Sequence, residues 1–147
     1  MADVYGVQAT KHVAGGPANT VVPGMTDSPV LAMLDTYEAA ALTAGYAIQI
    51  GKALPAGAKI IDILIHADAL GSNTQLAVGD ADDEDRYIAA YASTSATKKS
   101  LSTDGVIGGK QYVIGTADDD DIILVTNTST GEATGTINVM VLYTMNR

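Results

Sequence analysis

Five of the six residues from 80 to 85 are acidic, Asp80, Asp82, Asp83, Glu84 and Asp85, and Arg86 and Tyr87 follow at once. Carboxylates this dense could coordinate a divalent cation, divide acid and base roles in a cleft, or simply charge a turn. A helix-loop-helix calcium loop needs oxygen ligands at positions 1, 3 and 5, a glycine at 6 and a bidentate Glu at 12. Counted from Asp80, position 6 is Asp85 and position 12 is Tyr91, so both the bend and the closing ligand are missing. A looser oxygen site shared with Asp118 to Asp121 stays open as an alternative. Acid–base catalysis needs two carboxyls around a cleft with their pKa values driven apart, which adjacent acids on one turn do not provide. The favoured reading is a hairpin-type connection. Gly79-Asp80 turns the chain, the acids face water, Arg86 neutralises one of them, and the charge guards the strand ends against edge-to-edge pairing.

The remaining candidates for chemistry are sparse. His66 shares an expected strand face with Asp62, and Asp68 lies one step on, so His–Asp ligation is geometrically conceivable. The other histidine, His12, sits far away in the N-terminal stretch, and a solvent-facing or carboxylate-bonded His66 is the simpler reading. The glycine pairs in AGGPAN and GVIGGK lack the Gly-Lys-Ser/Thr ending of a phosphate loop. No serine has a His and Asp pattern that supports a triad. No catalytic, cofactor-binding or metal-ligating residue is assigned, no cofactor is expected, and the chain reads as a non-enzyme.

The elements that would position any site follow from composition. A chain of 147 residues is most simply one domain, which buries about 70% of its unfolded surface. With no Cys, disulfides, thiolate zinc sites and thiol catalysis are excluded together. Phe and Trp are absent, so the core must come from Ala, Val, Ile and Leu with a few of the seven Tyr, residues that suit pleated surfaces. The net charge of −9 disfavours nucleic acid and anionic membranes as partners, and Lys98-Lys99 is the one adjacent basic pair. No run approaches the ~20 apolar residues of a membrane-spanning helix, and a soluble chain made in the cytosol is expected.

Residues 1–30 are broken every few positions by Gly15-Gly16-Pro17, Pro23-Gly24 and Ser28-Pro29, and they read as an extended arm. A plain flexible tail is the alternative. Val4, Tyr5, Val7, Val21, Val22, Pro23 and Met25 make the arm more apolar than a solvated tail, so they are its expected partner-binding residues. From about residue 46 the period is two. Tyr46, Ile48 and Ile50 share one face; so do Ile61, Ile63, Ile65 and Ala67; so do Ile137, Val139, Val141 and Tyr143. Leu76 and Val78 alternate with Gln75 and Ala77, and runs at 111–115 and 121–127 follow suit. Turn clusters at 51–57, 70–73, 79–85, 93–104, 116–120 and 127–132 separate them, which predicts seven or eight short strands in an all-β sandwich or barrel over residues 31–147. The segment 28–45 is ambiguous. Ser28 as N-cap, Pro29, Gly45 as C-cap and Leu31, Leu34, Ala41 and Leu42 at helical spacing favour a helix, while Leu31, Met33, Tyr37, Ala39 and Ala41 alternate.

Residues 35–88 carry Leu54-Pro55-Ala56-Gly57-Ala58, a strand ending in Asp68-Ala69-Leu70-Gly71, and Val78-Gly79-Asp80 running to Asp85-Arg86-Tyr87. With the opening MADVYGVQATK, this stretch resembles a family of tailed-bacteriophage head decoration, or cement, proteins. The resemblance covers the first 90 residues, and the last 57 only in strand pattern. It implies a jelly-roll β-sandwich of about eight antiparallel strands with an extended N-terminal arm, and it turns residues 31–42 into the first strand. It also implies a structural, non-enzymatic virion protein on the outer surface of the capsid, made in the host bacterial cytoplasm. Its partners would be the major capsid protein and itself, as a dimer or trimer. The absence of Phe and Trp departs from what such a core would hold. The competing reading is a carbohydrate-binding or tail-fibre jelly roll, with Tyr87, Tyr91 and Tyr112 as stacking platforms.

Overall fold

The structure, a computed structural model, describes residues 29–115 and 121–145. Its strands run in chain order as β1 (Val30–Leu42), β2 (Ala47–Ile50), β3 (Ala58–Ala67), β4 (Gln75–Gly79), β5 (Ile88–Ala92), β6 (Thr97–Ser100), β7 (Ile123–Asn127) and β8 (Ala133–Met145). A one-turn helix, α1 (Leu101–Asp104), and a 3-10 turn at Ile107–Gly109 lie between β6 and β7.

The strands pair as one long hairpin rolled over on itself. β4 pairs with β5, β3 with β6, β2 with β7 and β1 with β8, all antiparallel. Rolling that hairpin also sets β3 against β8 and β4 against β7. Two four-stranded sheets result, in the orders β1-β8-β3-β6 and β2-β7-β4-β5. That connectivity is a jelly roll, the two-sheet solution to closing eight antiparallel strands. The arm residues Val4, Tyr5, Val7, Val21, Val22, Pro23 and Met25 lie outside the described residues, as does the Asp118–Asp120 part of the second acidic cluster.

The core between the sheets is aliphatic. Ile48, Ile50, Ile60, Ile63, Ile65, Ile88, Ile114, Ile123 and Ile137 are buried there with Leu70, Leu76 and Leu101, and Tyr87 and Tyr143 supply its aromatic surface. β-branched side chains lose little rotamer freedom on a pleat, so isoleucine can fill the space that Phe and Trp would otherwise occupy. In β8 the expected alternation holds for all four residues, Ile137, Val139, Val141 and Tyr143.

Segment 30–42 is a strand, against its helical start and stop signals. Its partner decides: β1 pairs with β8 in unbroken register from Val30↔Thr144 to Ala39↔Gly135. Capping signals contribute about 1 kcal/mol each, whereas that ladder satisfies a whole row of backbone groups and covers β8. The register slips after Ala39, where Ala41 takes φ +61°.

Strict alternation fails in β3. Register shifts between Ile60 and Asp62, so Ala58 and Ile60 face the core, Ile61 is pushed out, and Ile63, Ile65 and Ala67 face in again. A β-bulge inserts one unpaired residue and reverses the parity of everything before it. Ile61 is consequently 40% exposed, although the sequence pattern placed it inside. A second shift, between Leu76 and Val78, buries Ala77 beside them. Tyr46 precedes β2 and is exposed, not aligned with Ile48 and Ile50. The expected strand at 111–115 reduces to a bridge between Lys59 and Val113, with Ile60 N–H donating to the Tyr112 carbonyl at 2.8 Å. The expected turn cluster at 93–104 instead contains β6 and α1.

Candidate binding face

The outward face of the β1-β8-β3-β6 sheet follows from register. Because the odd-numbered residues 137–143 of β8 face the core, its even-numbered residues face out, and their cross-strand partners face out with them. One outer row reads Leu34, Met140, Leu64 and Ser100; the next reads Thr36, Asn138, His66 and Lys98. The two rows, apart from Ser100, line a groove of about 360 Å³. Its floor is Met140 and Leu64, half-buried, and its rim is polar: Thr36 Oγ1 donates to Asn138 Oδ1 at 2.8 Å, with His66 and Lys98 exposed beyond. Leu34 is 67% exposed at the β1 end of the row. Such a surface can accept an apolar side chain of a partner and hold its register by the polar rim.

His66 is solvent-facing, as expected, but the carboxylates near it in sequence are committed elsewhere. Asp62 accepts from Ser102 N–H at 3.0 Å and Ser102 Oγ at 2.9 Å, tying β3 to α1. Asp68 accepts from Thr136 N–H at 3.1 Å. Among the described residues no three His, Cys, Asp or Glu side chains stand close enough together to hold a metal ion.

The acidic stretch joins two neighbouring strands of one sheet, β4 and β5, as a hairpin connection should. One part of that expectation is corrected. Asp80 does not face water but is buried, and it organises the turn. Its Oδ1 accepts from Asp82 N–H at 3.1 Å and Asp83 N–H at 3.0 Å, and Arg86 closes on both oxygens, with Nη2 at 3.2 Å from Oδ1 and Nε on Oδ2. The Asp80 carboxylate holds the Arg86 guanidinium above its ordinary pKa, through this hydrogen bond ahead of every other influence. Gly79 is required here, because a Cβ on it would stand 2.0 Å from the Asp83 carbonyl oxygen. Asp82, Asp83, Glu84 and Asp85 remain exposed, and the hydrogen bond to Asp83 raises the Asp85 carboxyl. A signal for the turn-organising role was available: an Asp directly after Gly, with backbone N–H groups two and three residues on, is the chemistry of an Asx turn.

The tyrosines do not form a sugar platform. Tyr87 is fully buried, with the Tyr112 ring edge-on to it at 6.0 Å. A face of the Tyr112 ring is engaged by Arg86, whose guanidinium carbon lies 4.5 Å from the ring centre. Tyr91 is half-buried, and burial raises its phenol pKa.

With this geometry in place, known structures supply a comparison. A chain of the cyanophage Pam1 capsid asymmetric unit superposes with a TM-score of 0.65 at 22% identity, over 90% of this chain and 98% of that one. A chain of the capsid of Ralstonia phage GP4 superposes with a TM-score of 0.60 at 18% identity, over 83% and 86% of the two chains. The fold is one that phage capsids contain. No protein-family model and no curated protein matches the chain. At these identities the likeness concerns the fold. The jelly roll that the resemblance over residues 35–88 implied is shown by the strand order within this chain.

Proposed function

We propose that the protein is a structural, non-enzymatic component of a bacteriophage virion that decorates the outer surface of the head and binds the major capsid protein. The observation that carries this reading is the superposition over 98% of a chain from the Pam1 capsid asymmetric unit, which leaves almost none of that chain unaccounted for. The outer face of β1-β8-β3-β6, an apolar row beside a polar rim, supports it by supplying a surface suited to a protein partner. The charge of −9 supports an exterior position, since packaged DNA repels it.

The arm completes the proposal. Residues 1–30, with Val4, Tyr5, Val7, Val21, Val22, Pro23 and Met25, would lie along a neighbouring subunit and bury their apolar side chains there. Deleting residues 1–28 should leave cooperative unfolding intact, because every strand among the described residues begins at Val30 or later, and should weaken capsid binding. The direct test is mass spectrometry of purified virions from the phage that carries the gene. The chain should be present in many copies and be removed by treatments that strip the outside of an intact head. Virions that lack it, or that release it only when the DNA is exposed, would overturn the reading.

A further inference from the structure

The two edges of the first sheet are treated differently by the sequence. β6 is four residues long and carries Lys98 and Lys99, the usual means of blunting an edge against further pairing. β1 is thirteen residues long, and among the described residues no strand pairs with its other side. It shows Val30, Leu31, Leu34 and Tyr37 to solvent, with Val30 57% and Leu34 67% exposed. Its two acids do not guard it. Asp35 is turned back to Gly51 N–H at 2.8 Å and Thr36 N–H at 2.8 Å, and Glu38 accepts from Thr136 Oγ1 at 2.7 Å. A long edge strand with exposed aliphatic side chains is a surface open to pairing.

We infer that it is covered by β1 of a second copy of this chain, in an antiparallel, two-fold pairing centred on Leu34. The β1 sequence is complementary to itself in that register. Leu31 falls opposite Tyr37 of the second copy, and Tyr37 opposite Leu31, on the face that β1 shares with the core residues Tyr143 and Ile137. Leu34 meets Leu34 on the outer face, flanked by Ala32 opposite Thr36. Asp35 falls opposite Met33 and Glu38 opposite Val30, so no acid opposes an acid. Shifting the centre to Asp35 sets that carboxylate against itself, a destabilising pair. Shifting it to Met33 leaves Tyr37 opposite Pro29 and Leu31 opposite Asp35. An isologous contact of this kind closes at two copies, joins the two β1-β8-β3-β6 sheets into one, and sets both outer grooves side by side. It stands apart from the capsid reading: a dimer that ignores heads would leave it intact.

The test uses the full-length chain in sedimentation velocity at tens of micromolar. The wild type should be a dimer. Leu34→Lys, which sets like charges together at the two-fold, should be a monomer that still unfolds cooperatively. Because the chain has no Cys, a single thiol reports register without interference. Oxidised Leu34→Cys should form a covalent dimer, since Cα atoms across such a pair are about 4.5–5.5 Å apart, within disulfide reach. Thr36→Cys should not, because its counterpart lies four residues along the strand, about 13 Å away. A monomeric or trimeric wild type, a Leu34→Lys protein that stays dimeric, or equal cross-linking at both positions would each overturn the assignment.

Discussion

Asp80 and Arg86 lie six residues apart on the acidic turn, and their contact organises that turn beneath its exposed acids. The Asp80 side chain is fully covered and the Arg86 side chain 19% exposed, with the Tyr112 ring against its guanidinium. Removing one partner of a covered pair strands the other, a loss of about 3 kcal/mol in typical cases. Asp80→Ala should therefore lower the free energy of unfolding in urea by about that much, with the orphaned Asp82 and Asp83 N–H groups adding to it. Asp82→Asn, on an exposed neighbour, should change it by less than about 0.5 kcal/mol.

The neighbouring 3-10 turn gives a paired test of backbone approach. A Cβ on Gly109 would stand 2.2 Å from the Arg86 carbonyl oxygen, whereas one on Gly108 meets nothing within 4 Å. Gly109→Ala should cost about 1–3 kcal/mol through forced backbone movement, and Gly108→Ala should be nearly neutral. Thermal unfolding of the two variants side by side distinguishes them.

The bulge in β3 predicts an inversion that the sequence pattern would not. Ile63→Ala should destabilise by about 2–5 kcal/mol, as buried isoleucine truncations do, because Ile63 faces the core. Ile61→Ala, two residues earlier on a face expected to be the same, should cost less than about 1 kcal/mol. Equal losses would mean that β3 runs without its register shift.

Burial raises the Tyr91 phenol, so its folded-state pKa lies above its unfolded one. The stability from this group is fully present below the unfolded value of about 10 and falls as pH rises beyond it, because the unfolded chain ionises first. Melting temperatures between pH 9 and 11 should drop more steeply for the wild type than for Tyr91→Phe. Parallel slopes would contradict a buried, neutral phenol.

How legible was this fold in the chain? β8 could be read residue by residue, because its two faces meet different environments along its whole length. β3 could be located but not phased, because a bulge leaves no compositional mark on either side of Ile61. β6 carries no alternation at all: Thr97, Lys98, Lys99 and Ser100 hold an edge by polarity, and polarity also describes a turn. β1 shows the limit of local rules. Its capping residues are genuine helix signals, overridden by a partner strand more than a hundred residues away. At the site, the aliphatic groove is assembled from Leu34, Leu64 and Met140 on three strands, and only pairing register brings them together. The acidic turn was legible as a hairpin connection; the burial of Asp80 was not, because it depends on Arg86 and Tyr112 converging from two separate loops.

The most direct measurement of the central proposal is co-sedimentation of the purified chain with expanded phage heads assembled without it, followed to saturation. A decoration protein predicts binding that saturates at a fixed number of copies per capsid subunit and weakens when residues 1–28 are removed. A chain that stays in the supernatant at every concentration would contradict the capsid role.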